Sequence, residues 1–552
     1  MTLTGIGTEI SPATKRSRRV SAVLIIVALV VSACGGQTQS PEGSSSTGGE
    51  LIAAIGNLGT HEWSPARTGH DNEKISMMIQ DSLIRLNTET RQFEGHLLES
   101  WSLSDDGTTW TFTLRPDIPF HDDWGTLTSE DVKFTWEQWI SEDSTHNTAP
   151  LLAQAIDGDL DNFEIVSDLE FRLHTTTPIV HLLGILCSCD SGFHVSSKRY
   201  HDEMGEEAND HPIGTGPWKF VSSTPGVEVV LEAVDDHWYQ SPSFDRLVLQ
   251  EIPDPAARLV QVQSGAVDIA QLDASLTGEA LAAELTIDGV PDVGNVFVIL
   301  GGMYPGHPNN DDDSPWIQTD NPEAGKAIRE ALSLAIDRQL IIDTVLSGAA
   351  TPVHGPLLPV QANPASWDPS WELPAYDLEA ARAKLAEGGY PDGFPITLFM
   401  YPDDVDTISI AEAIAGMWEE LGIEVTRDQS EEDLLDEMLN ATQTDGIAWV
   451  KIAGLNGEPA QRINSYRSSR EDDHKFFHDA IDDGYDRLSL ETNEEERYAI
   501  ARDITQALVE DVATITLFTA DMPFVIGPDV ASWDPIPGFN SISALETAVP
   551  AD

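Results

Sequence analysis

Beyond residue 50 this chain of 552 residues contains no low-complexity linker, and that continuity limits its fold more than any motif does. So long a stretch exceeds one ordinary hydrophobic core, so two or three compact units are expected. Without a flexible joint, such units must pack together and share segments that cross between them. Hydrophobic residues make up 41% of the chain and include 14 tryptophans, enough to fill sizeable cores.

Local patterns switch between strand and helix, which predicts an α/β fold. Residues 109–115 alternate apolar and polar side chains, as a half-buried strand does. Thr128, with Asp131 three residues on, makes a capping box for a helix that puts Val132, Trp136, Trp139 and Ile140 on one face. Ile328, Ala331, Leu332, Ala335 and Ile336 have the spacing of a buried helical face. Asp337 then caps a second helix carrying Leu340, Ile341 and Val345, which ends at Gly348. Ile410, Ile414, Met417, Trp418 and Leu421 form another amphipathic helix closed by Gly422, and a strand restarts at Ile423.

The first 33 residues read as an export signal. Lys15, Arg16, Arg18 and Arg19 precede an apolar run over residues 20–31, which ends in Val31-Ser32-Ala33-Cys34. The run is too short to span a membrane, which takes about 20 residues. Its Val-Ser-Ala-Cys end resembles a bacterial lipobox, in which the chain is cut before the cysteine and the sulfur carries a lipid. Cys34 is therefore the expected lipidation site. Residues 34–49 make a Gly/Ser/Pro-rich tether that cannot pack a core.

Charge excludes one class of partner. The chain has 30 lysines and arginines against 93 aspartates and glutamates, a net charge of −63. Nucleic acid needs clustered basic residues and is not an expected partner. The acids are spread along the whole chain, the pattern of a solvated surface suited to salty surroundings. Of three cysteines, Cys187 and Cys189 remain after Cys34. Outside the cytoplasm they can oxidise or stay as buried thiols; a metal site with His181 and His194 is the alternative. No GxSxG elbow, HExxH motif or P-loop is present, so catalysis has no sequence signature. Residues 309–313 lack the spacing of a calcium loop and read as a solvated turn.

Several phrases together resemble the peptide/nickel-binding family of ABC-importer receptors, solute-binding protein family 5. Residues 98–107 (LESWSLSDDG) are similar to its ESW–SDDG segment, and residues 119–134 to its FHDG–TAEDV–F segment, with Asp123-Trp124 in place of the usual glycine. Ile213-Gly214-Thr215-Gly216-Pro217-Trp218 resembles its GTGPY turn, where Gly214 and Gly216 are structural. Residues 264–268, 329–342 and 390–394 match further family phrases in family order.

The resemblance implies a two-lobed, periplasmic-binding-protein-like clamshell of class II (cluster C) type, with three domains. Domain I is discontinuous: residues 50–77, 205–292 and 515–552. Domain II, residues 78–204, is inserted in the same lobe. Domain III, residues 293–514, forms the other lobe, and two crossing strands act as the hinge. It also implies a monomeric, non-enzymatic receptor without cofactor or metal, anchored in the membrane by lipid at the cell surface or in the periplasm. Ligand would be captured between the lobes, and the closed form presented to importer permease subunits.

Candidate ligand residues come from three loops. Asn57, His61 and Trp63 follow the opening strand; Gly302, Met303 and Tyr304 follow a strand over residues 296–300; Trp449, Lys451, Leu455 and Glu458 lie in and after a third. Aromatic side chains stack on ligands and polar groups orient them; core packing is the equal alternative for Trp63, Tyr304 and Trp449. In peptide receptors of the family an Asp in a W–GD–DP loop holds the ligand ammonium. Leu455 stands at that position here, with Glu458 as a candidate substitute. The expected ligand is thus peptide-like, a sugar, a nickel chelate or another polar solute. A secreted hydrolase and a receptor serving a signalling partner are the rival readings.

Overall fold

The computed structural model describes residues 49–551, apart from 69, 88, 89, 91, 147, 189–191, 305–313, 354–367, 369, 401–405, 431, 455–457, 465 and 468–475. Residues 1–48, Cys34 among them, lie outside the described residues, as do Cys189, Leu455 and residues 309–313. Cys187 is disulfide-bonded. No described helix is long and apolar enough to cross a membrane.

Two strands carry the architecture. Thr286–Leu300 and Ile515–Ile526 run antiparallel through the middle of a sheet that has eleven strands among the described residues. On one side of them lie Ile269–Gln271, Glu50–Ile55, Arg246–Glu251, Glu228–Ala233 and Trp218–Thr224, in that order. On the other side lie Ile447–Ala453, Pro395–Phe399 and Glu424–Asp428. Glu50–Ile55 is parallel to both of its neighbours, and Pro395–Phe399 is parallel to both of its own. These are two α/β half-sheets hung on the same pair of strands.

The pair divides its length between the halves. Residues 286–290 face 522–526, where Ile269–Gln271 also pairs; residues 294–298 face 515–520, and Asn295 to Leu300 pair with Ile447–Ala453. The ladder slips between Val290 and Gly294. Gly289 and Gly294 let backbones meet there: a Cβ on Gly289 would lie 2.4 Å from Met522 O, and one on Gly294 2.4 Å from Ile452 Cγ1. The expected strand over residues 296–300 is thus the end of a strand three times as long. Gly289, Pro291, Asp292 and Gly294 read locally as turn residues and conceal it.

The segment around residues 83–213 has a core of its own, which gathers Leu83, Phe112, Trp136, Phe163, Phe193 and Ile213. Its four-stranded antiparallel sheet runs Leu98–Leu103, Thr109–Leu114, Glu170–His174, Phe163–Ser167. Thr109–Leu114 alternates half-buried and buried positions throughout. Phe171 stacks on Phe112 and Phe163, each at 5.0 Å between centroids. The helix Ser129–Trp139 begins as its sequence predicts, with Asp131 Oδ2 accepting from the Thr128 N–H (2.9 Å) and hydroxyl (2.8 Å). Val132, Trp136 and Trp139 point into that core.

The second half follows its pattern with one correction. Asp337 caps the helix Arg338–Thr344 through the Leu340 N–H (3.0 Å), but Leu340 is exposed, and Ile341 with Ile342 form the buried face. Gly422 ends the helix Thr407–Leu421 at φ 104°, in the left-handed region that favours glycine. Gly214 and Gly216 serve a close approach: a Cβ on either would fall within 2.7 Å of the backbone of residues 78–80.

Candidate ligand-binding site

In α/β sheets, ligands gather beyond the carboxyl ends of the parallel strands. Here both sets of carboxyl ends point at the crossover. Gln271, ending its strand, pairs with Phe524, two residues from Met522 where the ladder slips; Ile55 ends level with it. From the other half, Ala453 pairs with Asn295, the residue after Gly294. The loop after Ile55 and the loop after Ala453 therefore leave their strands at the pivot from opposite sides.

The first loop is held by the strand ends around it. Gly56 N–H reaches Gln271 Oε1 (3.4 Å) and Leu58 N–H donates to Glu251 Oε2 (3.0 Å). Arg258 donates to Gln271 O and Ile252 O, both at 2.6 Å. Asn57 is exposed, and its Oδ1 accepts from Gly59 N–H. Asn72 takes the His61 N–H (3.0 Å) and donates to the Thr60 hydroxyl (2.8 Å), which fixes His61 at φ 58°. Both ring nitrogens of His61 are closed to solvent and meet no hydrogen-bond partner among the described residues. Burial lowers its pKa, opposed by the Glu251 charge. Trp63 is 4% exposed and packs between Phe220 (5.7 Å) and His61 (5.9 Å), so it is a core wall that backs the loop.

On the opposite side, Trp449 is 1% exposed, pairs with Ile299 and belongs to the core. Lys451 is half-buried, opposite Phe297. Glu458 is 2% exposed and accepts from Arg497 Nε (3.3 Å). Burial raises its carboxyl, against the Arg497 charge. From the 83–213 segment comes His181, 2% exposed, with both ring nitrogens unpartnered among the described residues. Burial, then the Arg497 charge, pushes it down to about 4. A Cβ on Gly107 would lie 2.7 Å from Thr492 Cγ2 and 2.9 Å from Pro178 Cβ, so the same two parts of the chain touch there too.

Gly302, Met303 and Tyr304 lie elsewhere. They come after Leu300, which pairs with Ala448 at the end of the ladder away from the pivot, roughly 15–20 Å along the strand from Asn295. Gly302 N–H donates to Thr444 Oγ1 (3.0 Å), the Tyr304 hydroxyl bonds the same oxygen (2.7 Å), and its ring meets Phe477 edge-on at 5.1 Å. Burial raises the Tyr304 hydroxyl to about 12. Asn57, His61 and Trp63 thus follow a strand end that points at the pivot from one half, Lys451 and Glu458 lie at and after one that points at it from the other, and 302–304 leave the far end of the ladder. His181 and Arg497 gather by Glu458 without a local signal: neither sits in a motif, and only the tertiary fold brings them together. Among the described residues no three His, Cys, Asp or Glu gather as metal ligands.

Two half-sheets on a shared strand pair, with loops meeting at the pivot, define the two-lobed periplasmic-binding class. The family model for bacterial extracellular solute-binding proteins, family 5 (middle region), matches residues 92–473, and the chain belongs to that family. Heme-binding protein A of Haemophilus influenzae is 26% identical over 374 residues, 63% of this chain and 64% of its own. Oligopeptide-binding protein AppA of Bacillus subtilis is 25% identical over 480 residues, 80% of this chain and 81% of its own. The chain therefore spans just under two thirds of the first relative's length and more of the second's. NikA from Brucella suis, solved in complex with Fe(III)-EDTA, shares the fold with a TM-score of 0.76 at 20% identity, over 91% of this chain and all of NikA.

Proposed function

We propose that this protein is the extracytoplasmic, lipid-anchored receptor of an ABC importer, which captures one small polar solute between its lobes and performs no covalent chemistry. The observation that carries this is the convergence of both sets of strand ends on one ladder slip. A solute touching both loops stabilises the closed form, because each lobe contributes contacts only when shut. The proposed parts are residues 50–77, 205–292 and 515–552 as domain I, 78–204 as the inserted domain II, and 293–514 as domain III. The closed form is what the permease subunits would dock.

The solute is polar by the groups set at the seam: His61, Lys451, the Glu458–Arg497 pair and His181. Glu458 is engaged by Arg497, so an ammonium guest would compete with a guanidinium for it, which weighs against a free dipeptide. Relatives named for heme and oligopeptides, and a like-folded protein holding a metal chelate, fit a scaffold whose guest is set by its loops.

A melting-shift screen of the mature domain against peptides, sugars, metal chelates and amines tests the reading. One class is expected to raise Tm in a saturable way at one site per chain. No shift from any class, with turnover of an ester, peptide or glycoside panel, would replace the receptor by a hydrolase. Cys34→Ala is expected to release the protein from membranes into the soluble fraction; unchanged retention would remove the anchor from the proposal.

A further inference from the structure

A chamber of about 300 Å³ lies beside the C-terminal segment. Its walls come from residues 77–96, Ser188, His194, Pro217, the turn at 237–240 and the tail at 534–547, and neither cleft loop contributes to it. The volume sits at the small end of the range for ligand pockets.

Asp81 forms one wall. It is 6% exposed and accepts from the Thr215 hydroxyl (2.8 Å), Trp238 Nε1 (3.1 Å) and His96 Nε2 (2.9 Å). Burial alone would raise its carboxyl, but His96, His237 and the Thr215 hydroxyl together hold it down to about 2. His96 and Tyr239 bring aromatic rings to the same side, 5.1 Å apart, and Trp238 backs His96 at 5.0 Å. Met77, Met78, Leu86 and Ile536 supply apolar surface.

Two features of this chamber are unfinished. His194 is 5% exposed, lines it, and its Nε2 meets no hydrogen-bond partner among the described residues. Burial keeps that ring neutral, at about 3, so in one tautomer Nε2 is an acceptor. The charges do not balance either. Asp81 is paired with His96, and Glu94 with Arg85 at 3.1 Å, which leaves Glu546 and Asp534 on the lining without a cation among the described residues. Burial, with the Asp81 charge adding, pushes the Glu546 carboxyl up to about 7.

We propose that this chamber is a second binding site, for a short primary alkylammonium, whose charge is met by Glu546, whose N–H is accepted by His194 Nε2, and whose methylenes lie against Met77, Met78 and Leu86. An alkylammonium suits each unfinished group at once: a cation for the spare carboxylates, a donor for the imidazole, a short tail for the apolar wall. The site does not depend on the cleft and stands or falls separately from it.

Calorimetric titration of the mature chain with n-butylammonium, against 1-butanol as the uncharged isostere, tests it. Saturable binding of one cation per chain is expected, with affinity rising as pH is raised through 7, where Glu546 ionises. Glu546→Gln should weaken it tenfold or more, His194→Phe should weaken it similarly, and His61→Ala should leave it unchanged. Because His194→Phe risks the fold, Glu546→Gln with an unaltered melting curve is the deciding variant. Equal binding of 1-butanol, no saturation, or equal affinity in Glu546→Gln would overturn the proposal. Loss of binding in His61→Ala would also overturn it as a site distinct from the cleft.

Discussion

Two loops come after core strands in this molecule, and they differ in how their polar groups are treated. Around residues 302–304 the polar groups are matched: the Gly302 N–H and the Tyr304 hydroxyl share Thr444 Oγ1. In the 56–63 loop the backbone is pinned with equal care, yet His61 keeps two shielded ring nitrogens without partners among the described residues. An unpaired buried polar group costs about 1–3 kcal/mol, and a guest that donates to one of these nitrogens would recover part of that. The contrast is between a loop whose polar groups are all met and the loop that the proposed function assigns to the guest. Sequence spacing alone gives both the same weight.

Substitutions can break or sharpen that contrast. The largest effect belongs to the core: Trp449→Ala should cost about 3–5 kcal/mol in denaturant unfolding, as a buried aromatic truncation does. If ligand affinity fell in proportion while stability held, Trp449 would belong to the guest instead. Next comes acid. His181 is lowered by burial to about 4, so the unfolded chain binds its proton first as pH falls from 6.5. Its contribution is complete above pH 6.5 and is lost towards pH 4, on the order of 3 kcal/mol. His181→Gln should flatten the stability–pH curve in that window, and an unchanged slope would remove His181 from the seam's energetics. His61→Ala should lower solute affinity about tenfold, or about 1.4 kcal/mol, with little change in Tm. Tyr304→Phe is the smallest: about 1 kcal/mol of stability and no change in affinity. A reversal of these last two outcomes would exchange the roles of the two loops.

Much of the architecture was legible because it rests on local rules. The capping residues Thr128 and Asp337, the glycine closure at Gly422 and the alternation in Thr109–Leu114 each act within a few positions. The family phrases carried the two-lobed class. The site was legible only by region. Asn57 to Trp63 lie where strand ends meet, a matter of topology that the family pattern conveys. His181 and Arg497 are 316 positions apart and share no periodicity, so only folding pairs them. Residues 286–295 resisted reading for a different reason: a strand that must bend between lobes needs glycine and proline, the residues that elsewhere announce a turn.

The ladder slip has one more consequence. Pro291 has no amide proton to give, and the Asp292 N–H is held by the Asp521 carboxylate (2.8 Å) of the neighbouring strand instead of by a backbone carbonyl. Pro291 O is held in turn by Gly538 N–H (2.9 Å). Deuterium is expected to enter the Asp292 amide sooner than the backbone-paired amides of the same strand, since its one bond is to a side chain. The C-terminal segment, tethered to Pro291, would feel any torque the lobes exert on each other.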